Sequence, residues 1–329
     1  MHKVEISYKT IVFSILFLLG LYVVWRSLDL LYSLFIAFIL MSALRPIIRI
    51  LKAKKIPNAV AVSVVYFTFL LFFGFLFFIV IPPIVLETSN LVRTLPGIIQ
   101  QLSPEVANSF HVESLTQYIP DITNQIFSII GGVFSNLIFV VSTLFFGFYL
   151  LLEEDIVTKF ILHFFEEKKA KAITTALNKS ERQMSAWFWG ELTLMTVIGL
   201  MTFIGLQFIG VKYALPLAVL AGLLEVVPNI GPIIAAIPAL LIASAQSPFL
   251  GLSTVALSVI IQQLENNLVV PVIMKKAVDL NPIITLIVLI LGGNLGGVLG
   301  LLLSIPAYLL IEAFVREFWT GRKIAENLR

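Results

Sequence analysis

Two polar stretches stand inside strongly apolar sequence: Glu225-Val-Val-Pro-Asn-Ile-Gly-Pro232 and Gln262-Gln-Leu-Glu-Asn-Asn-Leu-Val-Val-Pro271. A bilayer should reject such residues. An ionisable group at the centre of a spanning helix costs about 2.5–3.5 kcal/mol on insertion scales, so one that is kept there marks a functional site. Proline sharpens the reading. Pro228 deprives the carbonyl of Leu224, and Pro271 that of Asn267, of the usual helical donor, because proline has no amide hydrogen. Freed carbonyls, carboxamides and carboxylates at membrane depth can bind an ion or a polar solute, since irregular backbone persists there only around protein or a cavity. The candidate ligands are Glu225, Pro228, Asn229, Gly231 and Pro232 in the first stretch, and Gln262, Glu265, Asn266, Asn267 and Pro271 in the second.

On a helix, Glu265, Gln262 and Asn266 fall within an arc of about 100°, and Gln263 and Asn267 widen it to about 200°. That exceeds what helix packing needs. Asn229 also suits a turn, and Glu225 could buttress the hairpin tip beside Pro228. Glu191 falls near the inner end of its apolar run, where an interfacial position accounts for it.

The elements that would position these residues follow from composition. Hydrophobic residues make up 59% of the chain and charged ones 12%, against roughly 45–50% and about 25% in soluble domains. The fold class is therefore all-α, a polytopic transmembrane helical bundle. The chain has no cysteine, which excludes disulfides, iron–sulfur clusters and thiolate metal sites. No G-x-x-x-x-G-K-[ST] stretch is present to cradle a nucleotide, no H-E-x-x-H occurs, and His2, His111 and His163 fall outside the expected spans. No G-x-S-x-G elbow occurs either, so an enzyme is not expected.

In chain order, residues 1–81 hold three spans, the first two forming a tight hairpin around Arg26-Ser-Leu-Asp29. Arg45, Arg49, Lys52, Lys54 and Lys55 follow without an intervening acid, and such a cluster stays cytoplasmic. Topology and anionic lipid explain it better than a nucleic-acid site does. Residues 82–124 form an external segment with an apolar stripe at helical spacing. A fourth span covers 125–152, and a cytoplasmic helical segment 153–186.

Residues 187–311 form a transport core, followed by a cytoplasmic tail over 312–329. In the core, Tyr213–Val227 and Ile230–Ala245 are about 15 residues each, or roughly 22 Å, which is short of the ~30 Å hydrocarbon core. A re-entrant hairpin over 213–245 follows, and a second short-helix hairpin over 281–311 turns at Gly292-Gly-Asn-Leu-Gly-Gly297. Gly292, Gly293, Gly296 and Gly297 either pack closely or act as a gate. Interrupted segments of this kind point to a midplane binding site.

Several stretches resemble the autoinducer-2 exporter family of bacterial inner-membrane proteins, the permeases also called uncharacterised family 118. They are Leu44-Arg-Pro-Ile-Ile48 with Lys55-Ile-Pro57, Tyr149-Leu-Leu-Leu-Glu-Glu-Asp155, Trp189-Gly-Glu191, the two polar motifs above, and Gly292 to Gly300 with Pro306. The resemblance covers nearly the whole chain. It implies a multi-pass exporter or permease of a small polar molecule such as autoinducer-2, or a sodium(lithium)/proton antiporter, with coupling to protons or sodium. It also implies residence in the bacterial inner membrane and a homo-oligomer, with a pentamer among the assemblies it allows. The contrasting class is a non-transporting membrane scaffold, for which alanine at Glu265 would be silent.

Both termini and the segments Arg45–Lys55 and Glu153–Arg182 are expected in the cytoplasm, with 82–124 outside. A single cysteine placed at Ser109 should be labelled by an impermeant maleimide from the external face; labelling from the cytoplasmic face alone would invert this topology.

Overall fold

The computed structural model describes residues 8–75, 97, 136–153, 155–228, 230–274 and 281–327. Among them every regular element is helical. The external segment 82–124 lies outside the described residues apart from Gly97, as do residues 125–135 of the fourth span and Asn229. The helices are α1 (Tyr8–Arg26), α2 (Leu28–Ala53), α3 (Asn58–Phe75), α4 (Leu137–Leu152), α5 (Ile156–Phe164), α6 (Glu167–Ile209), α7 (Ala214–Leu224), α8 (Ile230–Gln246), α9 (Pro248–Met274) and α10 (Pro282–Asn327). Five of these, α2, α3, α6, α9 and α10, are long and apolar enough to cross a bilayer. Their outward faces carry large apolar side chains such as Phe208, 90% exposed, and Leu252, 70% exposed. Only lipid or protein accommodates such a surface at this density.

The first two helices depart from the expected hairpin. Ser27 between them stays near the helical region (φ −104°, ψ 18°), so nothing turns the chain back, and α1 meets α2 only around the joint. Residues 11–20 are exposed all round. Helices α2, α3 and α4 form an amino-terminal bundle around Met41, Leu44, Ile48, Val62, Tyr66 and Leu151. Side chains tie it at three levels. Ser33 and Thr143 hydroxyls bond at 2.8 Å, the Tyr66 hydroxyl donates to the Leu144 carbonyl at 2.6 Å, and the Asn58 amide donates to the Leu152 carbonyl at 2.9 Å.

Helix α6 joins this bundle to the rest. Its 43 residues extend about 65 Å, with no break between the expected cytoplasmic segment and the span that begins at Trp187. It ends where Gly210 takes a left-handed conformation (φ 81°) and Val211 caps the Leu206 carbonyl, an ending that favours glycine. Against α2, Glu181 pairs with Arg45 and, at 3.5 Å, with Arg49, while the Trp189 indole donates to the Ala43 carbonyl at 2.9 Å.

Both expected hairpins are present. In the first, α7 and α8 pack on each other and between α6 and α9. In the second, α10 breaks at Gly296 (φ −135°, ψ 16°) and Gly297 (φ 57°, ψ −139°). Its two arms, 282–295 and 298–327, return so closely that a Cβ on Gly292 would stand 2.5 Å from the Gly300 carbonyl oxygen. The second arm differs from expectation. It does not stop at Ile311 before a separate tail but continues to Asn327, about 45 Å in all, carried on by the Glu312–Arg316 pair one turn apart.

Glu181 is 6% exposed and the Arg45 side chain 12%, so removing one partner strands the other's charge. We expect Glu181→Ala to destabilise the α2–α6 contact by about 3–5 kcal/mol, and Glu167→Ala on an exposed turn to stay within about 0.5 kcal/mol. Thermal unfolding in detergent distinguishes the two.

Candidate functional site

The first polar stretch forms the tip of the α7–α8 hairpin. Glu225 closes α7 with near-helical backbone (φ −56°, ψ −24°) and is 1% exposed. Pro228 sits in the turn. Part of the tip pairs with itself: Val227 donates to the Leu224 carbonyl at 3.0 Å, Ile230 to Pro228 at 2.8 Å, and Gly231 to Val227 at 2.9 Å. The carbonyl that Pro228 was expected to free at Leu224 is therefore occupied, because a tighter turn supplies a donor three residues on. Gly231 is buried, and a Cβ there would collide with that same carbonyl oxygen, so its size is what lets α8 start beside the end of α7. Pro232 follows in the first turn of α8.

The second polar stretch lies where α9 widens into a π-turn over Glu265–Val269, in which the Val270 amide reaches back to the Glu265 carbonyl. The turn directly precedes Pro271, where the ordinary ladder must lose a bond, and such one-turn bulges are frequent at functional sites. It divides the polar residues between two sides. Glu265 is 2% exposed and accepts a hydrogen bond from the Gln262 amide at 3.3 Å. Gln263, Asn266, Asn267 and Pro271 are exposed, and the Asn267 amide bonds back to the carbonyl and side chain of Gln263, each at 2.9 Å. The ten expected ligands thus do not all converge: Glu225, Glu265 and Gln262 do, whereas Asn266, Asn267 and Pro271 face away.

A third carboxylate joins them. Glu191 of α6 is 4% exposed, and Glu265 and Glu225 are its charged neighbours. Both Glu191 oxygens, Glu225 Oε2 and Glu265 Oε2 are buried without a hydrogen-bond partner. Among the described residues no salt bridge reaches any of the three. The reason they meet is visible one turn away. A Cβ on Gly222 would stand 2.6 Å from the Met195 carbonyl oxygen and 3.3 Å from Gly199 Cα, so α7 and α6 nearly touch backbones. That contact brings Glu225, three residues beyond Gly222, to the level of Glu191, four residues before Met195. Trp189-Gly-Glu191 had marked the place in the sequence, but only the glycine at 222 discloses the depth.

Beside this cluster α6, α7, α8 and α9 form a half-open cavity of about 300 Å³, bordered by Thr202, Leu206, Pro232, Ala236, Ser258 and Gln262 among others. The glycines of the second hairpin serve a different purpose. Gly292 faces Gly300 and Ser304, a Cβ on Gly293 would stand 3.5 Å from Leu301 and one on Gly296 2.8 Å from the Tyr32 hydroxyl, and Gly297 supplies the positive φ of the turn.

The architecture defines a class: a multi-pass, all-helical membrane protein that keeps three acids buried where a short hairpin meets a distorted span. The match to the AI-2E family transporters extends over residues 11–319, and the chain belongs to that family. It is 28% identical to a Bacillus subtilis (strain 168) protein named "Putative transport protein YueF", over 86% of this chain and 82% of the relative. A second protein of that organism, "Putative transport protein YrrI", is 24% identical over 88% and 86%. The Escherichia coli (strain K12) "Putative permease PerM" is 31% identical over 44% of this chain and 42% of its own.

Because Gly222 sets the α6–α7 approach, a side chain there must push the helices apart, at a cost of about 1–3 kcal/mol. Gly222→Val should lower the unfolding temperature in detergent. Gly74→Ala, where nothing lies within 4 Å, should not.

Proposed function

We propose that the protein is a secondary transporter of a small solute across the bacterial inner membrane, coupled to protons or a monovalent cation through Glu191, Glu225 and Glu265. The observation that carries this reading is a set of three mutually interacting carboxylates, buried without a basic partner among the described residues. Charge buried in an apolar bundle must be balanced, and only protons or a bound cation can do it reversibly. A scaffold has no use for such a cluster, since apolar residues of similar size would pack there at lower cost. The resemblance to autoinducer-2 exporters supports a small polar solute. The basic cluster at the carboxy-terminal end of α2 supports cytoplasmic termini and a cytoplasmic Arg45–Lys55 segment.

A second reading is sodium(lithium)/proton antiport. Its support is the resemblance and the buried carboxylates, since hard cations take oxygen ligands, though among the described residues the three acids do not form one metal-holding group.

The test uses purified protein in liposomes loaded with a pH dye. An imposed sodium or lithium gradient, or addition of a hydroxylated furanone, should change the internal pH. Glu225→Gln or Glu265→Gln should abolish the response, and Glu191→Gln should reduce it at least about tenfold, the effect of losing roughly 1.4 kcal/mol of interaction. Variants that remain folded and transport normally would refute the assignment of coupling to these acids. A sodium or lithium response without a solute response would select antiport.

A further inference from the structure

We propose that the solute site is the cavity between α6, α7, α8 and α9, and that it takes an uncharged molecule with a compact apolar body and a hydroxyl or carbonyl at one edge. The proposal deepens the transport reading and rests on it for the site's purpose. The cavity, of about 300 Å³, lies at the lower end of small-molecule sites. Among the described residues its wall carries no charged side chain and is mostly aliphatic, with Leu206, Ala236 and Ile261 among the contributors. A carboxylate, phosphate or ammonium solute would find no counter-charge there, and a solute polar all round would leave most of its groups unpaired.

The polar groups that do reach the wall come from two helices. Thr202 of α6 makes no hydrogen bond with the described residues, and its hydroxyl is left to donate and accept. The Ser258 hydroxyl of α9 donates to the Thr254 carbonyl at 2.9 Å, which leaves its lone pairs to accept. Gln262, one turn further along α9, gives one amide hydrogen to Glu265 and retains a second hydrogen and a carbonyl oxygen. Such a row offers both donors and acceptors, which matches an alcohol or hydroxy-ketone. An acyl chain would bury the same three side chains with nothing to pair them.

Gln262 also explains how such a site could be coupled to the acids. When Glu265 is ionised it accepts from the Gln262 amide nitrogen. When protonated it becomes a donor and pairs best with the carboxamide oxygen. A half-turn of the carboxamide exchanges the two and alters what Gln262 presents to the solute.

Because the chain has no cysteine, Ala236→Cys places a single thiol on the cavity wall. Its alkylation rate by N-ethylmaleimide in proteoliposomes should fall at least about fivefold with saturating cyclohexanol. Glycerol, cyclohexane and cyclohexanecarboxylate should have little effect. Thr202→Val or Ser258→Ala should raise the half-protecting cyclohexanol concentration by about fivefold, the loss of one hydrogen bond. Phe208→Cys, on the lipid-facing surface, reports any general effect on the bilayer, and Val259→Cys repeats the measurement if Ala236→Cys does not fold. Equal protection by cyclohexane, or by added fatty acid, would overturn the proposal in favour of a lipid cleft, and absence of protection would overturn it outright. No gradient is applied, so failure here leaves carboxylate-dependent proton flux standing, and failure of that flux leaves protection standing.

Discussion

Three acids of one sign, buried together within an apolar bundle, are the arrangement that the surrounding fold must sustain. Desolvating even one carboxylate costs several kcal/mol, and each of these has at least one oxygen to which no protein group donates. Folding alone would have replaced them. Their presence therefore demands structure elsewhere that keeps the helices from drifting apart or admitting bulk water. The close approach of Gly222 to Met195 and Gly199 provides part of that structure, and the contact of Gly205 with Leu257, where a Cβ would stand 2.5 Å from Cδ1, provides more. Small residues at these crossings let α6 hold α7 on one side and α9 on the other. The polar cluster is assembled by apolar packing of short side chains.

The same economy governs the hairpin tip. A turn inside a membrane protein is tolerated when its backbone groups are paired, and here amides of the tip itself serve its own carbonyls. That occupies the Leu224, Val227 and Pro228 carbonyls and shifts the weight of the chemistry to side chains. It also explains why Gly231 and Pro228 stand beside Glu225: they shape a self-contained turn on which the acid is mounted. Ligand geometry therefore depends on how α7 sits against α6, not on strain within the tip.

Much of this was legible in the sequence. Composition alone identified a helical membrane protein, and the paired short runs around Pro228 and around Gly292–Gly297 marked both hairpins. Glu225, Gln262 and Glu265 stood out as polar residues in apolar company. Helical periodicity could not anticipate the π-turn that turns Asn266 and Asn267 away from the acids, because a uniform 100° step assumes an unbroken ladder. Glu191 was passed over because its place near the end of an apolar run suggested an interface. The run belongs to a 43-residue helix whose neighbours α7, α9 and α10 cover it, and only long-range packing decides that. The α1–α2 hairpin failed for the converse reason: Arg26 and Asp29 looked like a turn, yet neither residue nor Ser27 forces the backbone out of helical conformation.

The contacts that hold the parts together differ in kind. The amino-terminal bundle is fastened by hydrogen bonds between α2, α3 and α4 and by the Arg45–Glu181 pair to α6, contacts that are directional and lost abruptly if the helices slide. The α7–α8 hairpin, by contrast, meets α6 and α9 chiefly through glycine, alanine and leucine, and the close approach at Gly222, not a directional bond, keeps its register. The second hairpin is different again: its Gly292–Gly300 contact is tight, and its turn rests on Tyr32 of α2, which ties it to the fastened bundle. The two hairpins thus differ in what they rest on: the one that bears a buried acid packs on α6 and α9, and the one built of paired glycines on the fastened bundle.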